Sequence, residues 1–331
     1  MSKLTNKLVL SFFSVVLALI TLTASTFAWL TLATTGYVDN LHFMVTNGGD
    51  FYMSIGEPTK DSIYEFTNWQ QALNIEDSLS YVNLANVTSF NGKDLLNRDG
   101  TKADYSAYVE IPIYFKAENV PDTGGVFKHV GIYLGDYIKD PVYDDAVKGT
   151  LDGTFIVSRG VNQTAGYKYV NRYGEDVEHG TNGIYYAHDA MRISVCPVSF
   201  DNINTRHYDR DYVSDGKILD LSKEPQYGFA NTSDEMYATP KGAISYEIVS
   251  EHYDYKDVQI PETAPYVYEY ANIDSEPLLL ELTETINSEG EKVYYGKCYV
   301  YVWLEGWDID CYDVVLKDII YVGLNFRIKQ Y

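Results

Sequence analysis

The sequence predicts an all-β protein, a β-sandwich, preceded by an apolar leader. Three observations carry that prediction. Many short runs alternate apolar and polar residues with period two, and convincing helical periodicity is scarce. Tyrosine is also abundant, with 32 residues against 10 prolines and 5 methionines. Tyr favours strands and tolerates a half-exposed pleated surface with its hydroxyl in water. Many short strands with few helices stack into two sheets rather than into a bundle or an α/β fold.

The leader comes first. From Leu8 to Ala33 no residue is charged; Lys3 and Lys7 stand just before this run, and the first acid after it is Asp39. A basic start followed by such a run directs a chain to a membrane. Two fates compete. Cleavage after Ala28 would leave Trp29 as the new N-terminus, with Thr26 and Ala28 as the small residues before the cut. Retention as an anchor is also physical, because about 20 apolar residues cross a bilayer of roughly 30 Å. The basic n-region and the small residues favour cleavage. Residues 1–28 are therefore read as a signal peptide or an uncleaved anchor, and residues 29–46 as an N-terminal strand segment. Residues 47–331 form the sandwich, with inserted loops around 138–180 and 201–277. The membrane is then a partner only through residues 8–30, where these are not removed, and the expected location is extracellular, at the cell surface.

Composition bounds the partners. The 331 residues carry a net charge of −22, which argues against nucleic acid or anionic lipid as ligands. Disorder is excluded because 46% of residues are hydrophobic and 15% aromatic, enough to bury a core. An exported chain could pair two of its three cysteines, Cys196, Cys298 and Cys311, and leave one over. The absence of a CxxC argues against a structural zinc or redox motif.

Along the chain, Tyr37–Thr46 alternates and is followed by Asn47-Gly48-Gly49-Asp50 and FYMSIG, a hairpin signal. Ile63–Leu73 reads as a short helix, and Asn91-Gly92 and Asp99-Gly100 as turns. Val109, Ile111, Ile113 and Phe115 share one face of a strand whose Pro112 suggests an edge or a bulge, with His129–Tyr137 as its partner. Residues 138–180 look like acidic loops with one apolar run at Thr154–Ser158. Ala190–Phe200 alternates again, and residues 201–277 turn polar, with short strands at Ala243–Val249 and Val267–Tyr270. Leu278–Thr285 and Lys292–Leu304 flank Asn287-Ser288-Glu289-Gly290 as a hairpin. In its second arm Val300, Val302 and Leu304 share one face, and Tyr299, Tyr301 and Trp303 the other. EGWDIDCYD reads as a turn, and Ile320, Val322, Leu324, Phe326 and Ile328 mark a last strand that closes a sheet.

GxSxG, HExxH, GxxxxGK[ST] and GxGxxG are all missing, so no enzyme activity and no bound cofactor are expected. Asp136, Asp140, Asp144 and Asp145 in GDYIKDPVYDD offer oxygens for a weak extracellular calcium site, against the preferred reading of a charged, solubilising loop. His207-Tyr208-Asp209-Arg210-Asp211 lacks both a second nearby His and the EF-hand register. Glu305, Asp308 and Asp310 around Trp307 could mimic a glycosidase carboxylate pair, but Trp303 and Trp307 read better as packing residues.

Two stretches together carry a resemblance. Thr26-Phe27-Ala28-Trp29, followed closely by VDNLHFMVTNGGDFYMSIG, is similar to the start of TasA/camelysin-type proteins, exported fibre-forming proteins of Gram-positive biofilms. VYVWLEGWDIDCYD and IYVGLNFRIK resemble the ending of surface proteins with the same kind of N-terminus. The resemblance covers about 60 residues at the two ends and leaves the middle unmatched. It implies a jelly-roll-like antiparallel β-sandwich, removal of the leader by a signal peptidase, and assembly with copies of itself into a filament of the biofilm matrix. In such fibres the freed N-terminal strand fills a groove of the next subunit. Here that donor strand would be Trp29–Thr46, with Tyr37, Val38, Leu41, Phe43 and Val45 making the self-assembly contacts. The chain is larger than those subunits. A surface adhesin that binds carbohydrate with the help of calcium is the alternative function.

Overall fold

Alternation with period two appears in the computed structural model as strands nearly throughout. The structure describes residues 37–46, 50–75, 84–120, 129–164, 169–170, 176–199, 212–221, 267, 270–308, 311 and 318–331. The strands in chain order are β1 (Tyr37–Thr46), β2 (Asp50–Ser54), β3 (Ala72–Ile75), β4 (Asn86–Thr88), β5 (Leu96–Asn97) and β6 (Val109–Glu118). After β7 (Val130–Leu134) comes a short helix, α1 (Tyr143–Val147), then β8 (Phe155–Ser158), β9 (Val161–Thr164), β10 (Tyr169–Val170), β11 (Asp176–Val177) and β12 (Asn182–Tyr185). The rest are β13 (Met191–Pro197), β14 (Lys217–Leu219), β15 (Leu278–Ile286), β16 (Lys292–Glu305) and β17 (Ile319–Gln330).

Thirteen strands form one mixed sheet; β9 with β12, and β10 with β11, form two small ribbons. The large sheet has two arms. In one, β16 pairs antiparallel with β6 from Val293 to Val302 on one edge and with β13 from Cys298 to Leu304 on the other; β2 extends this arm beyond β6 and β14 beyond β13. In the second arm β17 lies between β1 and the pair β7 and β8, and β3 lies outside β1. β15 joins the arms, pairing with β7 through Leu278–Leu282 and with β16 through Thr283–Ile286. The arms face each other across one apolar core, where Phe115 of β6 meets Phe326 of β17 edge to face at 5.1 Å. The architecture is thus all-β and sandwich-like.

The strongest expectation held in form and gained a second layer. Val300, Val302 and Leu304 face the central core, while Tyr299, Tyr301 and Trp303 on the opposite face are equally buried. They are covered by a second cluster that includes Leu95, Tyr108, Val213 and Ile218, so β16 is buried on both faces. The β15–β16 hairpin forms as read. Its turn is held by Asn287, whose side chain accepts from the amides of Glu289 at 3.0 Å and Glu291 at 2.8 Å. Gly290 supplies the φ of 83° that other residues resist.

Several expectations need correction. The Tyr37–Thr46 and FYMSIG runs are strands but not a hairpin: β1 pairs with β17 and β3, β2 with β6. Their apolar residues face the same core from opposite arms, so the chain crosses between the arms instead of turning back. The sheet is mixed rather than wholly antiparallel, because β1 runs parallel to β17 from Tyr37 to Thr46 and β4 runs parallel to the end of β16. β17 lies inside its arm, between β1 and the pair β7 and β8. β7 pairs with β15 and β17, not with β6. Ile63–Leu73 is one 3-10 turn, Ile63–Glu65, followed by β3, whose Leu73 and Ile75 alternate into the core. The acidic loop region 138–180 contributes β8 to the main sheet, with all four residues buried. Among the described residues Pro112 lies where β6 has no partner on its second edge, since β2 covers only Tyr114–Glu118. Ala243–Val249 lies outside the described residues.

Candidate functional site

The N-terminal strand is seated deep. Val38, Leu41 and Phe43 of β1 are almost fully buried in the central core, and Val45 packs partly against it. Phe43 stacks at a tilt on Phe326, 6.2 Å between ring centroids. Burying three such side chains contributes roughly 5–8 kcal/mol toward holding the strand. β1 bonds to β17 over nine register positions, with one irregularity between Val38 and Asn40, whereas β3 covers only Leu41–Met44. Its first residues thus have a sheet partner on one side only among the described residues. Tyr37 is placed in register with Ile319. Ala28 and Trp29, the expected cleavage point, lie outside the described residues with the rest of the leader, as does the His207–Asp211 run.

A second constellation is polar and closed. Arg192 of β13 is 3% exposed, and its guanidinium meets four chain segments. It donates to the Tyr270 hydroxyl at 3.1 Å and to the Met191 carbonyl at 2.8 Å; it pairs with Asp220 at 3.3 Å and, closer still, with Asp308. The Tyr270 ring lies under it at 5.2 Å. Burial alone would disfavour its charge, but Asp220, Tyr270 and Asp308 more than offset this and hold it protonated. Beside it, Glu305 ends β16 at 1% exposure. The Trp303 indole donates to it at 3.1 Å and the Trp307 amide at 3.3 Å. Burial raises its carboxyl to about 7, with Arg192 and the Trp303 bond pulling the other way. A group poised near neutrality can hold or release a proton, yet these side chains are closed to solvent. Their arrangement ties β13, β14, β16 and the Tyr270 segment together.

The acidic loop residues are scattered. Asp136, at a left-handed φ of 52°, accepts from Asn325 at 2.9 Å and from the Arg327 guanidinium, so β17 already neutralises it. Asp140 is exposed, while Asp144 and Asp145 sit in the first turn of α1, where Asp145 is 3.5 Å from Lys148. Among the described residues no three His, Cys, Asp or Glu side chains come together as a metal site. Trp303 and Trp307 are buried packing residues, and Asp310 lies outside the described residues. Cys196, Cys298 and Cys311 are buried thiols rather than a disulfide, and burial pushes Cys196 up to about 12. Cys196 and Cys298 sit on adjacent strands but face different clusters, which keeps them from pairing.

The sequence reading missed the Arg192 hub. Its signal was there: an arginine inside the apolar run AMRISV, on the face of β13 opposite Ile193 and Val195. Among the described residues no helix is long and apolar enough to cross a membrane. The chain matches no protein-family model, no curated protein and no solved structure.

Proposed function

We propose that this protein is an exported structural component of the cell surface, a fibre or layer subunit of jelly-roll type. In this reading copies join by exchanging β1. The observation that carries it is the seating of β1. A ten-residue strand directly after the apolar leader buries Val38, Leu41 and Phe43 in a slot between β17 and β3. A slot that accepts the chain's own strand in parallel register with β17 accepts the identical strand of a neighbour with the same bonds. Closed on itself the subunit is soluble; with β1 passed onward, each copy completes the next. The resemblance at the two chain ends supports the same reading. The calcium-assisted adhesin is the weaker alternative, since Asp136 is already engaged by Arg327 and Asn325.

Cross-linking tests it. Asn40 and Tyr321 face each other in register across β1 and β17. Copies carrying Asn40→Cys are mixed with copies carrying Tyr321→Cys during assembly, oxidised, and run without reductant. Strand exchange yields covalent chain-to-chain dimers, and negative-stain microscopy shows filaments. Filaments without any such dimer would sink strand donation; no filament or layer at all would sink the structural role.

A further inference from the structure

On the outer face of the second arm, away from the core, lies a half-open cleft of about 230 Å³. One wall is polar: Asn40 and His42 from β1 and Asn74 from β3. The floor is aromatic, with Phe155 of β8 and Tyr321 of β17. The opposite wall is the end of α1, Ala146 to Gly149, with Leu151. The floor depends on a local fit, for a Cβ at Gly323 would collide with the Phe155 ring, so only glycine lets that ring lie across β17.

We propose that this cleft binds a single sugar ring. Four features converge. His42 Nδ1 and Asn74 Oδ1 bond to each other, which leaves the other ring nitrogen of His42 and the amide nitrogens of Asn74 and Asn40 along the wall that the hydroxyls of a sugar would meet. Tyr321, partly exposed, and the buried Phe155 line it with aromatic carbon, which suits the ring's C–H bonds. The cleft is smaller than the roughly 300–1,000 Å³ of sites for drug-sized ligands, which suits a compact guest. Finally, among the described residues lining it none is Asp or Glu, although the chain carries 47 of them; the one formal charge, Lys148, is shared with Asp145. A neutral ligand is therefore neither repelled nor strongly selected by charge. Because Asn40 and His42 belong to β1, a bound sugar also bridges that strand to the rest of the arm and favours its seated state.

The test uses the full chain and methyl glycosides of glucose, galactose, mannose and N-acetylglucosamine, titrated singly by ligand-observed NMR. At least one is expected to bind with a Kd on the order of 1 mM, the reach of a ligand of roughly a dozen heavy atoms. Asn74→Ala, at an exposed edge position, should weaken that binding several-fold, and Val147→Trp, at a half-exposed site on the rim, should abolish it by filling the cleft. Saturation by none of the four overturns the proposal. So does binding that persists unchanged in Val147→Trp, which would place the sugar elsewhere. Preferential binding of acetate or inorganic phosphate, lost in Lys148→Ala, overturns it in favour of an anion site.

Discussion

At the scale of single residues, Glu305 gives the sharpest expectation. Its carboxyl titrates near 4.5 when unfolded and near 7 when buried against Trp303, so the folded state prefers it protonated. Below about 4.5 both states hold the proton and nothing is lost. As the pH rises from 4.5 to 7 the unfolded chain releases its proton first, and folding stability falls by about 3 kcal/mol, a penalty complete above 7. Glu305→Gln, which keeps an acceptor for the indole, should flatten this slope in denaturant titrations across that range; an unchanged slope would acquit Glu305. Arg192 answers to the opposite logic. Replacing it by Met leaves Asp220 and Asp308 buried without their cation and should cost roughly 3–5 kcal/mol. Adding Asp220→Asn and Asp308→Asn to Arg192→Met should recover part of that loss, which a mere packing defect would not allow.

At the scale of elements, β1 is the strand whose removal matters most for the proposed assembly. Phe43→Ala empties its largest buried side chain against Phe326 and should destabilise the fold by about 3–5 kcal/mol, measured by urea unfolding. The same strand marks the limit of legibility. Period two in Tyr37–Thr46, in Val109–Phe115 and in Tyr299–Leu304 told which residues face together, and the structure buries them accordingly. Period two does not name a strand's neighbour. β1 finds β17 more than 280 positions away, and a local turn signal was no guide to that pairing. The cover over the outer face of β16 was not legible for a related reason: Tyr and Trp look alike whether half exposed or covered, and the cover here comes from distant segments around Leu95, Val213 and Tyr270. Arg192 was visible as an oddity in an apolar run; its partners, 28 to 116 residues further on, were not.

At the scale of the whole molecule, charge and fold act against each other. A net charge of −22 on 331 residues repels itself in the compact state at neutral pH, and dissolved ions screen that repulsion. Monovalent salt at pH 7 should therefore raise the melting temperature. Lowering the pH from 8 toward 5 should raise it too, as carboxylates begin to lose charge and Glu305 regains its proton. The gain ends lower down. Asp99 and Asp104 are held below the usual carboxylate range, the first by the Thr101 hydroxyl and amide, the second by the Ser106 amide and hydroxyl. Such groups stabilise only while ionised, so further acid removes what they contribute. Calorimetry of the native chain and of Glu305→Gln separates the two causes. Both proteins share the surface charge and should respond equally to salt, whereas only the native chain should show the full rise between pH 7 and 5. Equal pH responses in the two would assign the whole effect to surface repulsion. A melting temperature indifferent to salt would leave Glu305 as its source.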